Sequence, residues 1–347
     1  MTVLGISYYL APMNSNVSVP WEEFIATPDR FAEVLSQHSF AVLTDCPAEV
    51  ADACTACACA TSAFFDADEA IKRRAVSRAP GNRSGWRINC GGSREQYHIR
   101  CEANAAPRPS QDTCCRPYSF SHQPWPADDS NLSTSAPQCA EELRRVAELC
   151  VSAALRRQRA LAPSPSDQTD DQGGMPMSLP CLPVLDGLGP SVLDGFRYFP
   201  NSAPGGGSES EAQGAGSTEL PGSTTDDGQA PLDDATISLP EHADPGLVTI
   251  EARATLPGLE VLDLGAKLGA AAPGAATTTA SWRTVESLLR PLGGDPSPCC
   301  DLVVMAGERL EAATRRGFRS CRHRVLQPPA SSSNAPRDAV VFELRCC

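Results

Sequence analysis

Apolar residues recur at helical spacing in the first half of the chain and in short, nearly unbroken runs in the second. Pro20 opens a helical turn carrying Trp21 and Phe24. Pro28 ends it and opens a second helix, with Phe31, Val34 and Leu35 on one face. Phe40, Ala41, Val42 and Leu43 form an apolar run of strand length. Residues 47–73 read as one long helix, with Val50, Ala51, Cys54, Ala58, Phe64 and Phe65 spaced for a buried face. Another helix is predicted over 139–161, placing Leu143, Val146, Leu149 and Leu155 inside and Arg144, Arg145, Arg156 and Arg157 outside. Strand-like runs follow at 192–199, 247–251, 259–262, 302–306, 320–326 and 339–344. Many short strands punctuated by Gly and Pro argue a sandwich or barrel. Helices early and strands late argue an α+β chain, mainly β, with a jelly-roll core under helical cover.

Two stretches interrupt this pattern. Residues 162–180 are rich in Pro, Ser, Asp and Gln and read as a loop. Residues 201–235 hold seven acidic residues and no Lys or Arg. Such a composition cannot bury enough apolar surface to order itself, so a disordered acidic insertion is expected. A smaller insertion is expected at 265–280. The resulting organisation is an N-terminal region over 17–160 and a core over 181–345.

Composition narrows the function classes. The net charge is −13, about half of it from the 201–235 insertion, and a negative field repels phosphate backbones. Nucleic acid is therefore not an expected partner. No run of 18 apolar residues exists, so no membrane span is expected. The N-terminus lacks a basic region ahead of an uninterrupted apolar one, which argues against a signal peptide and for a cytoplasmic location; a monomer is expected. With 16 cysteines in a long unsignalled chain, free thiols are the default. Cys54, Cys57 and Cys59 lie in an Ala-rich helical stretch without a matching second cluster, so buried packing is expected there rather than a zinc site.

Of five histidines, His38, His98, His122, His242 and His323, two stand out. His98 and His122 read as loop residues. His242 and Asp244, two apart on extended backbone, project to one side, so an imidazole and a carboxylate can reach one ion. His323 lies in another late strand. Two histidines and a carboxylate form the facial triad of non-haem iron oxygenases, which leaves open positions for a co-substrate and O2. Taken alone, His-x-Asp recurs by chance in many chains, and two surface histidines would fit it as well.

Six blocks in order carry a more specific signal. They are Phe196-Arg-Tyr-Phe-Pro200, Glu241-His-Ala-Asp-Pro-Gly-Leu-Val-Thr249, Pro257-Gly-Leu-Glu-Val261, the run from Trp282 to Val285, Asp301-Leu-Val-Val-Met-Ala-Gly-Glu-Arg-Leu-Glu311, and Thr314 to Val325. Together they resemble the C-terminal half of the isopenicillin-N-synthase-like family of iron(II)/2-oxoglutarate dioxygenases. Ser39-Phe-Ala-Val-Leu43, Phe64-Phe65 with Lys72, Gly85-Trp86 and Ser93-Arg-Glu-Gln96 are similar to N-terminal elements of that family.

The resemblance implies a double-stranded β-helix (jelly-roll) core and an iron(II) ion held by His242, Asp244 and His323. It implies 2-oxoglutarate as co-substrate, decarboxylated to succinate and CO2 while O2 oxidises a small organic molecule by hydroxylation, desaturation or ring closure. The family's 2-oxoglutarate pair is Arg-x-Ser, and Arg337-Asp-Ala339 stands at that place. Arg337 offers the guanidinium fork for the far carboxylate. Ala339 removes one hydroxyl bond, a loss of roughly 1.5–3 kcal/mol unless another donor serves. Tyr198 is the candidate substitute by family position. Two other classes stay open: an iron oxidase of this fold that takes all electrons from its substrate, and a binding protein on the same scaffold. Cys321, two before His323, is either core filler or a thiol near the metal. Arg322 and Arg324 should face away from it.

Overall fold

The computed structural model describes residues 16–77, 84–89, 93–103, 118–120, 123–126, 131–161, 191–200, 237–265, 280–289, 301–328 and 335–345. The stretches read as insertions, 162–180, 201–235 and most of 265–280, lie outside them.

A short strand β1 (Ser18–Pro20) leads into helices α1 (Trp21–Ala26) and α2 (Pro28–His38), with Pro28 at the first helical turn as expected. Ser39 ends α2 in the left-handed conformation, at φ 67°, and turns the chain into β2 (Phe40–Thr44). The helix expected over 47–73 is two, α3 (Ala48–Asp66) and α4 (Glu69–Arg74). Extended backbone at Ala67 and Asp68 separates them. The fifth helix, α5 (Leu132–Leu161), starts earlier than its apolar pattern suggests. Its faces also differ at two positions. Leu149 is exposed, whereas Arg144 is buried along its stem with its guanidinium clamped between Glu141 and Glu148.

The described strands form two sheets. The larger has nine strands in the order β1-β2-β11-β8-β13-β6-β4-β3, with β5 pairing β4. Its members are β3 (Gly85–Asn89), β4 (Arg94–Ala103), β5 (Tyr118–Ser119), β6 (Ser191–Tyr198), β8 (Val248–Ala252), β11 (Leu302–Ala306) and β13 (Arg337–Leu344), besides β1 and β2. The smaller has four strands in the order β10-β9-β12-β7: β10 (Ser281–Thr284), β9 (Leu259–Asp263), β12 (His323–Leu326) and β7 (Ile237–His242). A six-residue helix α6 (Glu308–Ala313) follows β11. The helices pack on the outer face of the large sheet, with α3 and α5 against β13 and β6. The result is mixed α and β, with the N-terminal β3 and β4 extending the sheet built by the later strands. Cys54, Cys57 and Cys139 meet between α3 and α5, buried as expected of packing residues. His98 is not in a loop: it sits within β4, with its Nδ1 2.7 Å from Asp194 Oδ1 on the neighbouring β6. His122 lies outside the described residues.

Candidate metal centre

The site forms between the two sheets. Register explains it: His242, the last residue of β7, pairs directly with His323, the first of β12, so both imidazoles rise from one face. Their ring centroids are 4.2 Å apart. Asp244 follows in the loop after β7, and its backbone carbonyl accepts the Glu308 amide at 2.8 Å, anchoring that loop to α6. Nε2 of His242 lies 3.6 Å from Asp244 Oδ1, and Nε2 of His323 lies 3.7 Å from Asp244 Oδ2. One ligand atom from each residue falls within 4.8 Å of the others, and among the described residues this is the one such group of three.

The neighbours of the three side chains prepare them as ligands. His242 Nδ1 lies 2.8 Å from the Pro240 carbonyl and His323 Nδ1 lies 3.2 Å from the Cys321 carbonyl. A carbonyl can only accept, so each Nδ1 carries the proton and each Nε2 presents its lone pair inward. Thr249 Oγ1 donates to Asp244 Oδ2 at 2.6 Å and fixes the carboxylate's rotation. Burial pushes the Asp244 carboxyl up, but the adjacent His242 and His323 rings and the Thr249 hydroxyl outweigh it and bring it down to about 2. Burial draws His323 below its ordinary value, which keeps it neutral. Burial acts on His242 in the same sense, yet the Asp244 carboxylate and the Pro240 carbonyl raise it overall. The set is two nitrogens and one carboxylate oxygen, which suits iron(II).

The centre opens into a cavity of about 80 Å³ that is continuous with solvent. Its walls come from both sheets: Tyr198, Phe196 and Asp194 of β6, Glu251 of β8, Met305 of β11 and Glu343 of β13 face Leu239, Leu259 and Val325 of the smaller sheet. Tyr198 is buried beside the Arg337 guanidinium, 5.4 Å from ring centre to Cζ, and burial pushes its phenol up to about 12, so it remains an O–H donor. Arg337 pairs across the strands with Tyr198 and is wholly buried. Its Nη1 has no hydrogen-bond partner among the described residues. Ala339 lies two residues on along the same face of β13 and offers no hydroxyl.

The flanking residues behave as their strand positions require. Arg322 reaches Glu241 at the exposed surface, and Arg324 pairs with Glu260 and stacks over Trp282. Cys321 is buried with its thiol pushed up to about 12, and it serves the site through its backbone carbonyl. Sequence reasoning missed Thr249, Asp194, Glu251 and Glu343. For Thr249 and Glu251 the available signal was a polar side chain at every second position of the otherwise apolar β8.

No family model and no curated protein matches the chain. Solved structures do. A protein from Caulobacter crescentus described as of the 2OG-Fe(II) oxygenase family aligns over 95% of this chain and 86% of its own, with TM-score 0.56 and 19% identity. A full-length protein from Neurospora crassa, solved in complex with alpha-KG, aligns over 95% and 84%, with TM-score 0.58 and 13% identity. The rice dioxygenase for auxin oxidation aligns over 94% and 82%, with TM-score 0.52 and 17% identity. The chain has the fold of these oxygenases. The likeness extends over both the helical N-terminal part and the sheets that flank the centre.

Proposed function

We propose that the chain is an iron(II)- and 2-oxoglutarate-dependent oxygenase that oxidises a small organic molecule, with His242, Asp244 and His323 as iron ligands. The observation that carries this reading is the convergence of two Nε2 lone pairs and one ionised carboxylate in a cavity between two sheets. On this reading the facing sheets are a double-stranded β-helix over 181–345, and residues 17–160 form the N-terminal region packed on it. The Neurospora crassa neighbour of the same fold has been solved with alpha-KG, and also with alpha-KG and thymine.

Iron(II), when bound, supplies the O2 chemistry, with 2-oxoglutarate leaving as succinate and CO2. The chain's own residues do the rest. The Pro240 and Cys321 carbonyls hold both imidazoles in the ligating tautomer, and Thr249 holds Asp244. Arg337, with an unpartnered Nη1, is the residue to grip a distal carboxylate, and Tyr198 is the O–H donor beside it. Leu239, Leu259, Met305 and Val325 shed water from the walls. The test is anaerobic addition of iron(II) and saturating 2-oxoglutarate, read as a visible metal-to-ligand charge-transfer band. The band appears in the wild type and disappears in His242→Ala. Iron binding without a band at any 2-oxoglutarate concentration would favour the oxidase reading, for which Ala339 speaks.

A further inference from the structure

The arginine assigned to the co-substrate is already engaged by the protein itself. Arg337 Nη2 donates to Glu251 Oε1 at 2.6 Å and lies 3.4 Å from Glu286 Oε1, while Nε donates to the Leu256 carbonyl at 3.0 Å. Glu251 is buried and lines the cavity; Arg337 is buried deeper and does not line it. Glu251 therefore stands between the guanidinium and the cavity. Its place is set by β8, where Thr249 turns toward Asp244 and Glu251, two residues on, turns the same way toward Arg337.

This arrangement changes what the pocket selects. A distal carboxylate is held well by a guanidinium fork only if two N–H groups on one edge are free. Here Nη1 is free and Nη2 is taken. Two carboxylates, Glu251 and Glu286, already offset the charge of Arg337, so a dicarboxylate competes with Glu251 for that guanidinium and keeps only the attraction of Arg94, 5.9 Å from the Tyr198 ring centre. A 2-oxo acid without a second carboxylate needs nothing from Arg337 and meets no such competition.

We propose that Glu251 is the specificity-determining residue of the co-substrate pocket: it is an internal carboxylate on Arg337 that lowers the advantage of 2-oxoglutarate over 2-oxo monocarboxylic acids. The proposal rests on the functional reading above. The experiment titrates 2-oxoglutarate and 2-oxobutyrate anaerobically into the iron(II)-loaded protein, following the charge-transfer band, in wild type, Glu251→Leu and Glu251→Gln. Loss of the carboxylate tightens 2-oxoglutarate by about tenfold or more, the scale of one charge-assisted hydrogen bond, and leaves 2-oxobutyrate within about threefold. Glu251→Gln keeps the side chain's shape and moves in the same direction, which guards against a packing defect in the Leu variant. Bands with both acids but no tightening of 2-oxoglutarate in either variant overturn the proposal, as does equal tightening of both acids. No band with either acid in any of the three proteins overturns the functional reading instead.

Discussion

Removing Arg197 is expected to destabilise the protein by about 3–5 kcal/mol, the usual result of leaving one member of a buried ion pair alone. Arg197 sits on β6 with its guanidinium buried under α3. Its Nε and Nη2 each donate to one oxygen of Asp338 at 2.8 Å, and Nη1 reaches Asp66 Oδ1 at 2.5 Å. The Asp338 side chain is also buried and retains only Ser62 Oγ, at 2.5 Å, as another side-chain donor among the described residues. Arg197→Ala therefore strands a carboxylate in the seam between helix and sheet. Asp66 is largely exposed and loses little, so the cost comes from the Asp338 side. Urea unfolding followed by far-ultraviolet circular dichroism measures it. The double variant Arg197→Met with Asp338→Leu removes both charges and recovers at least about 1 kcal/mol relative to Arg197→Met alone, because the coupling between neighbours is of that size. A loss below about 1 kcal/mol in Arg197→Ala, or a double variant that loses the sum of both singles, would show that Arg197 and Asp338 are not energetically coupled.

Two further outcomes follow from the same physical terms. Asp263 is buried between His38, Arg283 and the Gly265 amide; burial pushes its carboxyl up, but those partners bring it down to about 2. A depressed folded pKa gives stability that is present above about pH 4 and lost as pH falls toward 2, on the order of 2 kcal/mol, so Asp263→Asn flattens the acid limb of the stability curve. An acid limb identical in wild type and variant would count against this. Thr249→Val removes the hydroxyl bond to Asp244 at nearly constant volume and lowers iron(II) affinity by about 10–100-fold, measured by anaerobic calorimetry, without loss of fold.

Much of the chain can be read from its residues, and the exceptions have physical causes. The run 302–306 is β11 to the residue, because an apolar strand buried on both faces leaves no ambiguity of period. The run 320–326 yields a strand only from His323, since Cys321 spends its amide on the Ala306 carbonyl instead of the ladder. The bounds of β4 escape a sequence reading because its alternation is inverted in meaning. Tyr97, Ile99 and Cys101 are buried, while Arg94, Gln96 and His98 pair across to Tyr198, Phe196 and Asp194, on the side of the cavity rather than of solvent. Polar residues facing inward look like a solvated face in sequence. The same ambiguity hides Glu251, whose partner Arg337 is 86 residues away. His242 and Asp244 are legible because they are close in sequence. His323 comes from its strand context and the resemblance, and the structure brings its Nε2 to the carboxylate across a strand pair.

In the proposed function these three side chains hold one iron(II) ion, and equilibrium binding under anaerobic conditions is the decisive test. Wild type should take up one iron(II) per chain. His242→Ala and His323→Ala should each bind at least about 100-fold more weakly while unfolding at wild-type urea concentrations, since a ligand rather than a packing residue has been removed. Equal iron(II) affinity in the wild type and both variants would exclude His242 and His323 as ligands.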